Sequence, residues 1–280
     1  MEKNTINALD LFKLRDRTCV ITGGAGLLGR KQAEAILDAQ GIPILLDINQ
    51  KSISKAISFL KRKYKKNVLG FRVDITSKKD LEEIKKEILK SHGKIDVLIN
   101  NAANNPKMEN LSKKNWTRFE NFPDEVWESD LGVGLKGAFY ASQVFGTVMA
   151  KQKNGVILNI SSDLGIIAPD QRIYRKPGLR ENQQPVKPVT YSVIKYALIG
   201  LTKYLATYWA EKGVRVNALC PGGVINGQDA TFVKNLTDLI PMGRMAKVDE
   251  YKATVLYMIS DASSYMTGSV VVVDGGRTSW

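Results

Sequence analysis

Histidine is almost absent: His92 is the only one in a chain of 280 residues. A Ser-His-Asp hydrolase would have to be built on it. His92 closes a lysine-rich helical segment (SHGKID), where a cap at the helix C-terminus is its expected role. The same shortage argues against zinc, whose sites draw on several His or Cys ligands. Cysteine is nearly as scarce. Cys19 and Cys220 sit in apolar, strand-like runs without metal-ligand spacing, so both read as reduced core thiols. Also missing is any run near the ~20 apolar residues of a membrane span. The N-terminal MEKNTINALDLFKLRDR lacks a signal peptide's apolar stretch, and a cytoplasmic protein is expected. No repeat, low-complexity tract or linker divides the chain, so one domain over 1–280 is expected, behind an N-terminal tail at 1–13.

Acidic residues are the minority: 41 Lys and Arg against 28 Asp and Glu give a net charge of +13. The lysines do not gather into one stripe. They are spread along helix faces (Lys61, Lys63, Lys65, Lys66; Lys78, Lys79, Lys85, Lys86) among acids and without interleaved aromatics. Solvated helix surface is the reading, with no nucleic-acid or membrane partner. The excess remains compatible with an anionic small-molecule substrate.

What the chain does have is alternation. Short β-branched runs (Thr18–Thr22, Ile42–Asp47, Val68–Asp74, Ile95–Asn100) are each followed by a helical pattern (Leu27–Gln40, Lys51–Tyr64, Lys78–Ser91, and about Glu125–Lys151). Strand Val156–Ser161, a helix from about Thr190 to Lys212, strand Val214–Leu219, a helix near Asp249–Asp261 and strand Val270–Val273 complete the chain. This order predicts right-handed crossovers and an α/β fold, a parallel sheet covered by helices on both faces. Three stretches are left over: the N-terminal tail, Asn104–Asp124 and an enlarged loop at 164–190.

Thr22-Gly-Gly-Ala-Gly-Leu-Leu-Gly29 follows the first strand and opens the first helix. Gly23, Gly26 and Gly29 let the backbone turn tightly and approach a pyrophosphate, whose charge a helix N-terminus stabilises. Asp47, closing the second strand, suits the adenosine ribose hydroxyls and repels a 2′-phosphate, which favours NAD over NADP. Asp74 ends the third strand on the same edge, where it would face adenine or cap the following turn.

Tyr191 and Lys195 stand one helical turn apart, roughly 5–6 Å between Cβ atoms. A phenol titrates near ~10 in water, and a neighbouring ammonium favours its ionised form. Such a pair makes a general base for an alcohol proton. Tyr208 and Lys212 repeat the spacing further along the same helix, too far to share a site. Ser161-Ser162 closes an apolar strand upstream.

Taken together, the glycine loop, Asp74, Asn100-Asn-Ala-Ala103, Asn159-Ile-Ser-Ser162, Tyr191-x-x-x-Lys195, Pro221-Gly222 and Asp274-Gly-Gly276 resemble the short-chain dehydrogenase/reductase family, in its order and over nearly the whole chain. The resemblance implies a Rossmann-type doubly wound sheet of about seven parallel strands, and catalysis by Ser162, Tyr191 and Lys195. It selects Tyr191 over Tyr208. It implies that Ser162 hydrogen-bonds the substrate oxygen, Tyr191 exchanges the proton, and Lys195 lowers the Tyr191 pKa and binds ribose. Leu28, Ile75, Asn101, Ala102, Pro221, Gly222 and Val224 would join Gly23, Gly26, Gly29, Asp47 and Asp74 around the cofactor. A homodimer or homotetramer paired through its long helices is expected.

Departures narrow the reading. Gly134 stands where the family commonly has an Asn that serves the proton relay. The enlarged loop carries Arg172 and Arg175, with Lys176 and Arg180, beside the expected site, and arginine forks suit phosphate or carboxylate. The pattern resembles the flagellin-modification and nonulosonic-acid-pathway oxidoreductases of that family. The expected reaction is hydride transfer at a secondary alcohol or ketone of a phosphorylated or nucleotide-linked sugar, or a sugar acid. Reduction of 3-oxoacyl thioesters, and NAD binding without turnover, are the alternatives.

Overall fold

The computed structural model describes residues 7–104 and 116–280. Seven strands, β1 (Thr18–Thr22), β2 (Ile42–Asp47), β3 (Leu69–Arg72), β4 (Val97–Asn100), β5 (Gly155–Ile160), β6 (Val214–Pro221) and β7 (Val270–Val273), form one sheet. Its order is β3-β2-β1-β4-β5-β6-β7, and every pairing is parallel. The helices are α1 (Leu27–Asp38), α2 (Gln50–Tyr64), α3 (Lys78–His92), α4 (Asp124–Leu131), α5 (Gly137–Gln152), α6 (Val189–Tyr208), α7 (Ala230–Thr237) and α8 (Lys252–Ile259).

Period-two alternation along the strands builds two cores. Cys19, Ile21, Leu45, Val97, Ile99 and Leu158 pack with Ala33 and Ile36 of α1, Leu60 of α2 and Val255 and Met258 of α8. The intervening Val20, Ile44, Leu46, Leu98 and Ile157 face Leu81 and Ile88 of α3, Phe145 of α5, and Leu205 and Trp209 at the end of α6. Both faces of the five inner strands are therefore dry, which is why those strands read as unbroken apolar runs, while the edge strands β3 and β7 are partly exposed. The strand order reverses between β1 and β4, and there the carboxyl ends open a crevice.

Element boundaries shift where local chemistry overrides the pattern. The long helix expected near Glu125–Lys151 is continuous, but a π turn at Gly132–Lys136 joins α4 to α5. The Tyr191 helix leaves α geometry after Tyr208, tightening into a 3-10 turn at Ala210–Lys212 that ends on Gly213 with φ 68°. Asp74 lies beyond β3, whose last residue is Arg72. Its carboxylate accepts from the amide and hydroxyl of Thr76 at 2.9 and 2.7 Å, while Ser77 caps α3. Helix α7 was not expected. It carries Leu236, which packs on Ile173 of the enlarged loop and anchors that loop to the body. Among the described residues no helix is long and apolar enough to cross a membrane.

Below the site, four polar side chains are buried on purpose. Asn100 of β4 donates to Ser142 of α5 (3.0 Å) and Asn159 of β5 (2.8 Å), and Asn159 donates to Thr202 of α6 (2.8 Å). The donors of both amides are used, while Asn100 Oδ1 is left buried without a partner, and the three bonds fix one register between sheet and helices.

Helix α5 meets the residue that caps the C-terminus of α6 at a position without a side chain. A Cβ on Gly146 would stand 2.5 Å from the Trp209 ring. Gly146→Ala should therefore destabilise the protein by about 1–2 kcal/mol, overpacking outweighing the gain in helix propensity. Urea unfolding of the variant measures it; a stabilised variant would contradict this packing.

Candidate active site

The crevice begins at the glycine turn. Gly23 has φ 61°, and a Cβ there would press on the Ala102 backbone at 2.9 Å. A Cβ on Gly29 would collide with the Gly23 carbonyl. Gly26 is the N-cap of α1 and leaves that helix end open. Asn101 ties the turn to β4: its Nδ2 donates to the carbonyls of Thr22 and Gly23 at 3.1 Å each. The Thr22 hydroxyl accepts from the amides of Asn101 and Ala102 at 3.1 and 3.2 Å. Asp47 reaches the same turn, accepting from the amides of Ala25 (3.2 Å) and Asn49 (3.1 Å). These residues fit a dinucleotide: bare backbone, a helix N-terminus for the pyrophosphate, and a carboxylate at ribose position. Of the other residues expected there, Leu28 and Pro221 line one hollow above α1. Ile75 is buried under Gly137, a Cβ on Gly222 would press on Asp274, and Val224 bridges to Ala246.

Beyond the cradle, α6 starts against the end of β5. Tyr191 is the third residue of α6, and Ser162 is the second residue beyond β5. Lys195 Nζ donates to the Ile160 carbonyl at 2.8 Å and lies 5.6 Å from the Tyr191 ring centroid. Ser161 donates to the Lys195 carbonyl at 2.7 Å, so its hydroxyl is a structural clasp. Ser162 donates to Asp163 at 2.7 Å and accepts from the Leu164 amide. Tyr208 stacks on Tyr204 at the far end of α6 and is 63% exposed.

The electrostatics differ from expectation. Burial pushes the Tyr191 phenol up, against the downward pull of the Ser162 hydroxyl and of Arg277. Burial also pulls Lys195 down to about 8, with the Lys187 charge adding to it. The expected depression of Tyr191 by Lys195 is not what sets this phenol: desolvation dominates and raises it.

Arg172 and Arg175 do not reach the site. Arg172 forks onto Asp170, with a 2.6 Å contact, and its side chain is 78% exposed; Arg175 pairs with Glu181 at 2.9 Å and is 54% exposed. The loop neutralises its own arginines. Two other cations stand in the site instead. Lys187, at the end of that loop, places Nζ 3.8 Å from the Tyr191 ring centroid. Arg277 donates to Asp163 at 2.6 Å, with both side chains buried (6% and 4% exposed). Asp274 accepts from the amides of Gly276 and Thr278, and positive φ at Gly275 and Gly276 turns the chain inward before Arg277. An arginine placed directly after Asp-Gly-Gly was the available signal. Asp130 of α4, also buried, accepts from the Thr190 hydroxyl at 2.6 Å.

Gly134 lies in the π turn, and a Cβ there would stand 2.8 Å from Ile194 of α6. Ile194 occupies the room that a side-chain amide would need. π turns inside α-helices concentrate at functional sites, and this one faces Tyr191 and Lys195 across a small cavity.

Residues 17–174 match the family model for short chain dehydrogenases, and residues 180–278 match that for enoyl-(acyl carrier protein) reductases. The chain belongs to the short-chain dehydrogenase family. An NAD-dependent glycerol dehydrogenase of Listeria innocua serovar 6a is 31% identical over 95% of this chain and 96% of that protein. The post-translational flagellin modification protein A of Campylobacter coli is 30% identical over 94% and 98%. The crystal structure of a gluconate 5-dehydrogenase from Burkholderia cenocepacia J2315, in complex with NADP and tartrate, superposes with a TM-score of 0.79. It is 26% identical and covers 98% of this chain and all of that one. As a short-chain dehydrogenase the protein is an NAD(P)-dependent oxidoreductase, and the likeness to a flagellin-modification protein agrees with the motifs.

The Asp163–Arg277 pair gives this site a stability signature. Arg277→Met strands a buried carboxylate and should cost about 3–5 kcal/mol, whereas removing both charges with Asp163→Asn should restore most of it. Urea denaturation of the two single variants and the double variant completes the cycle. Additive losses would show that the pair is not coupled.

Proposed function

We propose that this short-chain dehydrogenase uses NAD to oxidise a secondary hydroxyl, or NADH to reduce the ketone, on a sugar or sugar-derived substrate that carries negative charge. Phosphorylated sugars, nucleotide-linked sugars and sugar acids are the classes in view. One observation carries the reading: Ser162, Tyr191 and Lys195 converge where β5 meets α6, beside a glycine cradle that has no room for side chains. When bound there, the dinucleotide supplies the hydride acceptor or donor.

The chain's own part is proton handling. Tyr191, held protonated at neutral pH by burial, delivers its proton to a ketone oxygen as that oxygen gains charge. In the oxidative direction the same oxygen takes the proton, and the ammonium groups of Lys195 and Lys187 beside its ring favour the phenolate. Ser162 turns its hydroxyl from Asp163 to the substrate oxygen. Lys195, anchored on Ile160, keeps donors free for the ribose. Asp47 at the glycine turn supports NAD over NADP, since a 2′-phosphate would meet its charge.

The protein acts in the cytoplasm, on a small molecule, as a homodimer or homotetramer. Exposed Phe139 of α5 and Val193, Tyr204 and Tyr208 of α6 support pairing through those helices. A thioester reading is favoured by the match of residues 180–278 to enoyl-(acyl carrier protein) reductases. A panel of polyols, aldonates, hexose phosphates and 3-oxoacyl thioesters decides between the two, and turnover of thioesters alone would displace the sugar reading.

Two variants test the assignment of roles. Tyr191→Phe should lower kcat on the order of 10²–10⁴-fold while NAD affinity by calorimetry stays near wild type. Tyr208→Phe should leave kcat alone; a reversal of these outcomes refutes the site. Asp47→Asn should raise kcat/KM for NADP relative to NAD by about tenfold or more, and an unchanged ratio would remove Asp47 from cofactor choice.

A further inference from the structure

We propose that Lys187 binds a carboxylate of the substrate, carried one or two carbons from the reacting carbon. The substrates are then hydroxy acids and their keto acids rather than neutral polyols. This rests on the oxidoreductase reading above and narrows its substrate class.

The charges of the site leave one cation uncommitted. Arg277 is taken by Asp163, and Asp163 also holds Ser162. Asp130 is taken by Thr190. Lys195 is fixed on the Ile160 carbonyl. Arg172 and Arg175 are satisfied by loop acids outside the crevice. Of these five cations Lys187 alone has neither a hydrogen bond nor an ion pair to the described residues, and its neighbour is the face of Tyr191. Burial pulls it down to about 8, so the ammonium is held at a cost that an anion would offset.

Its position is built rather than accidental. Lys187 precedes Pro188, the N-cap of α6, and the residue before a proline is confined to extended backbone. Its amide donates to Gln171 Oε1 at 2.8 Å, which fixes the chain from the other side. The side chain lines a cavity with Ala103, Asn104, Asp130 and Tyr191. Because the ammonium stands over the ring that carries the reacting phenol oxygen, an anion on it lies within a few bonds of the carbon at that oxygen. One ammonium matches one carboxylate. A two-bond clasp on a phosphate would need the forks of Arg277, Arg172 or Arg175, and all three are committed, so a phosphate would meet only the point charge of Lys187.

The test uses the full-length enzyme with NAD, on four- to six-carbon aldonates, their matched alditols and hexose phosphates. Wild type should prefer an aldonate, and Lys187→Met should cut the aldonate-to-alditol ratio of kcat/KM on the order of 10²-fold. Lys187→Arg should keep most of that ratio. Malonate, which cannot react, should raise the Tm of wild type in the presence of NAD and raise it less in Lys187→Met. An equal loss on both substrate classes would make Lys187 a partner of Tyr191 alone and overturn the proposal. Preference for an alditol or a hexose phosphate in wild type would overturn it as well. Turnover of none of these alcohols or sugar phosphates by the folded protein would overturn the sugar-substrate reading beneath it.

Discussion

Where β5 ends, two hydrogen bonds run in opposite directions between the same two elements. Lys195 of α6 donates to the carbonyl of Ile160, and Ser161 donates back to the carbonyl of Lys195. Both groups are buried, so breaking either bond leaves a polar atom without water. Gly165 is required by the same clasp, since a Cβ there would press on the Lys195 backbone at 2.9 Å. The pair sets both the rotation of α6 and its distance from the sheet. One helical turn earlier, that rotation brings Tyr191 to Ser162. Asn159 and Thr202 repeat the tie lower down, so α6 is held at two levels and has no freedom to roll.

Given this frame, the electrostatics follow from confinement. Two lysines, an arginine and two aspartates stand around one half-buried phenol at the floor of the crevice. Desolvation drives each lysine toward its neutral form and Tyr191 toward its neutral form too. An empty pocket of this composition is poised against charge. Bound anions change that balance, because each added negative charge makes the ammonium groups easier to keep. Reactivity of the phenol is therefore a property of the filled site, and the helical spacing of Tyr191 and Lys195 does not create it alone.

Much of this was legible in the sequence, for reasons of locality. Strand and helix periods, the glycine turn, Asp47 and the Tyr191–Lys195 spacing are encoded within short windows, and the parallel sheet covered on both faces follows from alternation and handedness. What escaped has long sequence separation. Arg277 meets Asp163 only because the Asp274-Gly-Gly276 turn folds the chain end over the crevice. Lys187 escaped for a different reason: it is only four residues from Tyr191 but lies outside the helix, where Pro188 sets the direction of entry into α6. The loop arginines misled for the converse reason. Their partners, Asp170 and Glu181, lie within six positions, so local pairing won over the distant site.

The π turn binds these strands of argument together. An α-helix running straight from Asp124 to Gln152 would keep one rotation from end to end, and both halves could not suit their neighbours. One widened turn at Gly132–Lys136 shifts the phase. On its C-terminal side Ala141, Val144 and Phe145 of α5 face the sheet. On its N-terminal side Asp130 comes to Thr190, at the entry of α6. Gly134, at the centre, lets Ile194 press against the bare backbone, so the contact with α6 is kept by shape where an amide would have kept it by hydrogen bonding. The missing side chain and the added aliphatic one are two halves of a single exchange.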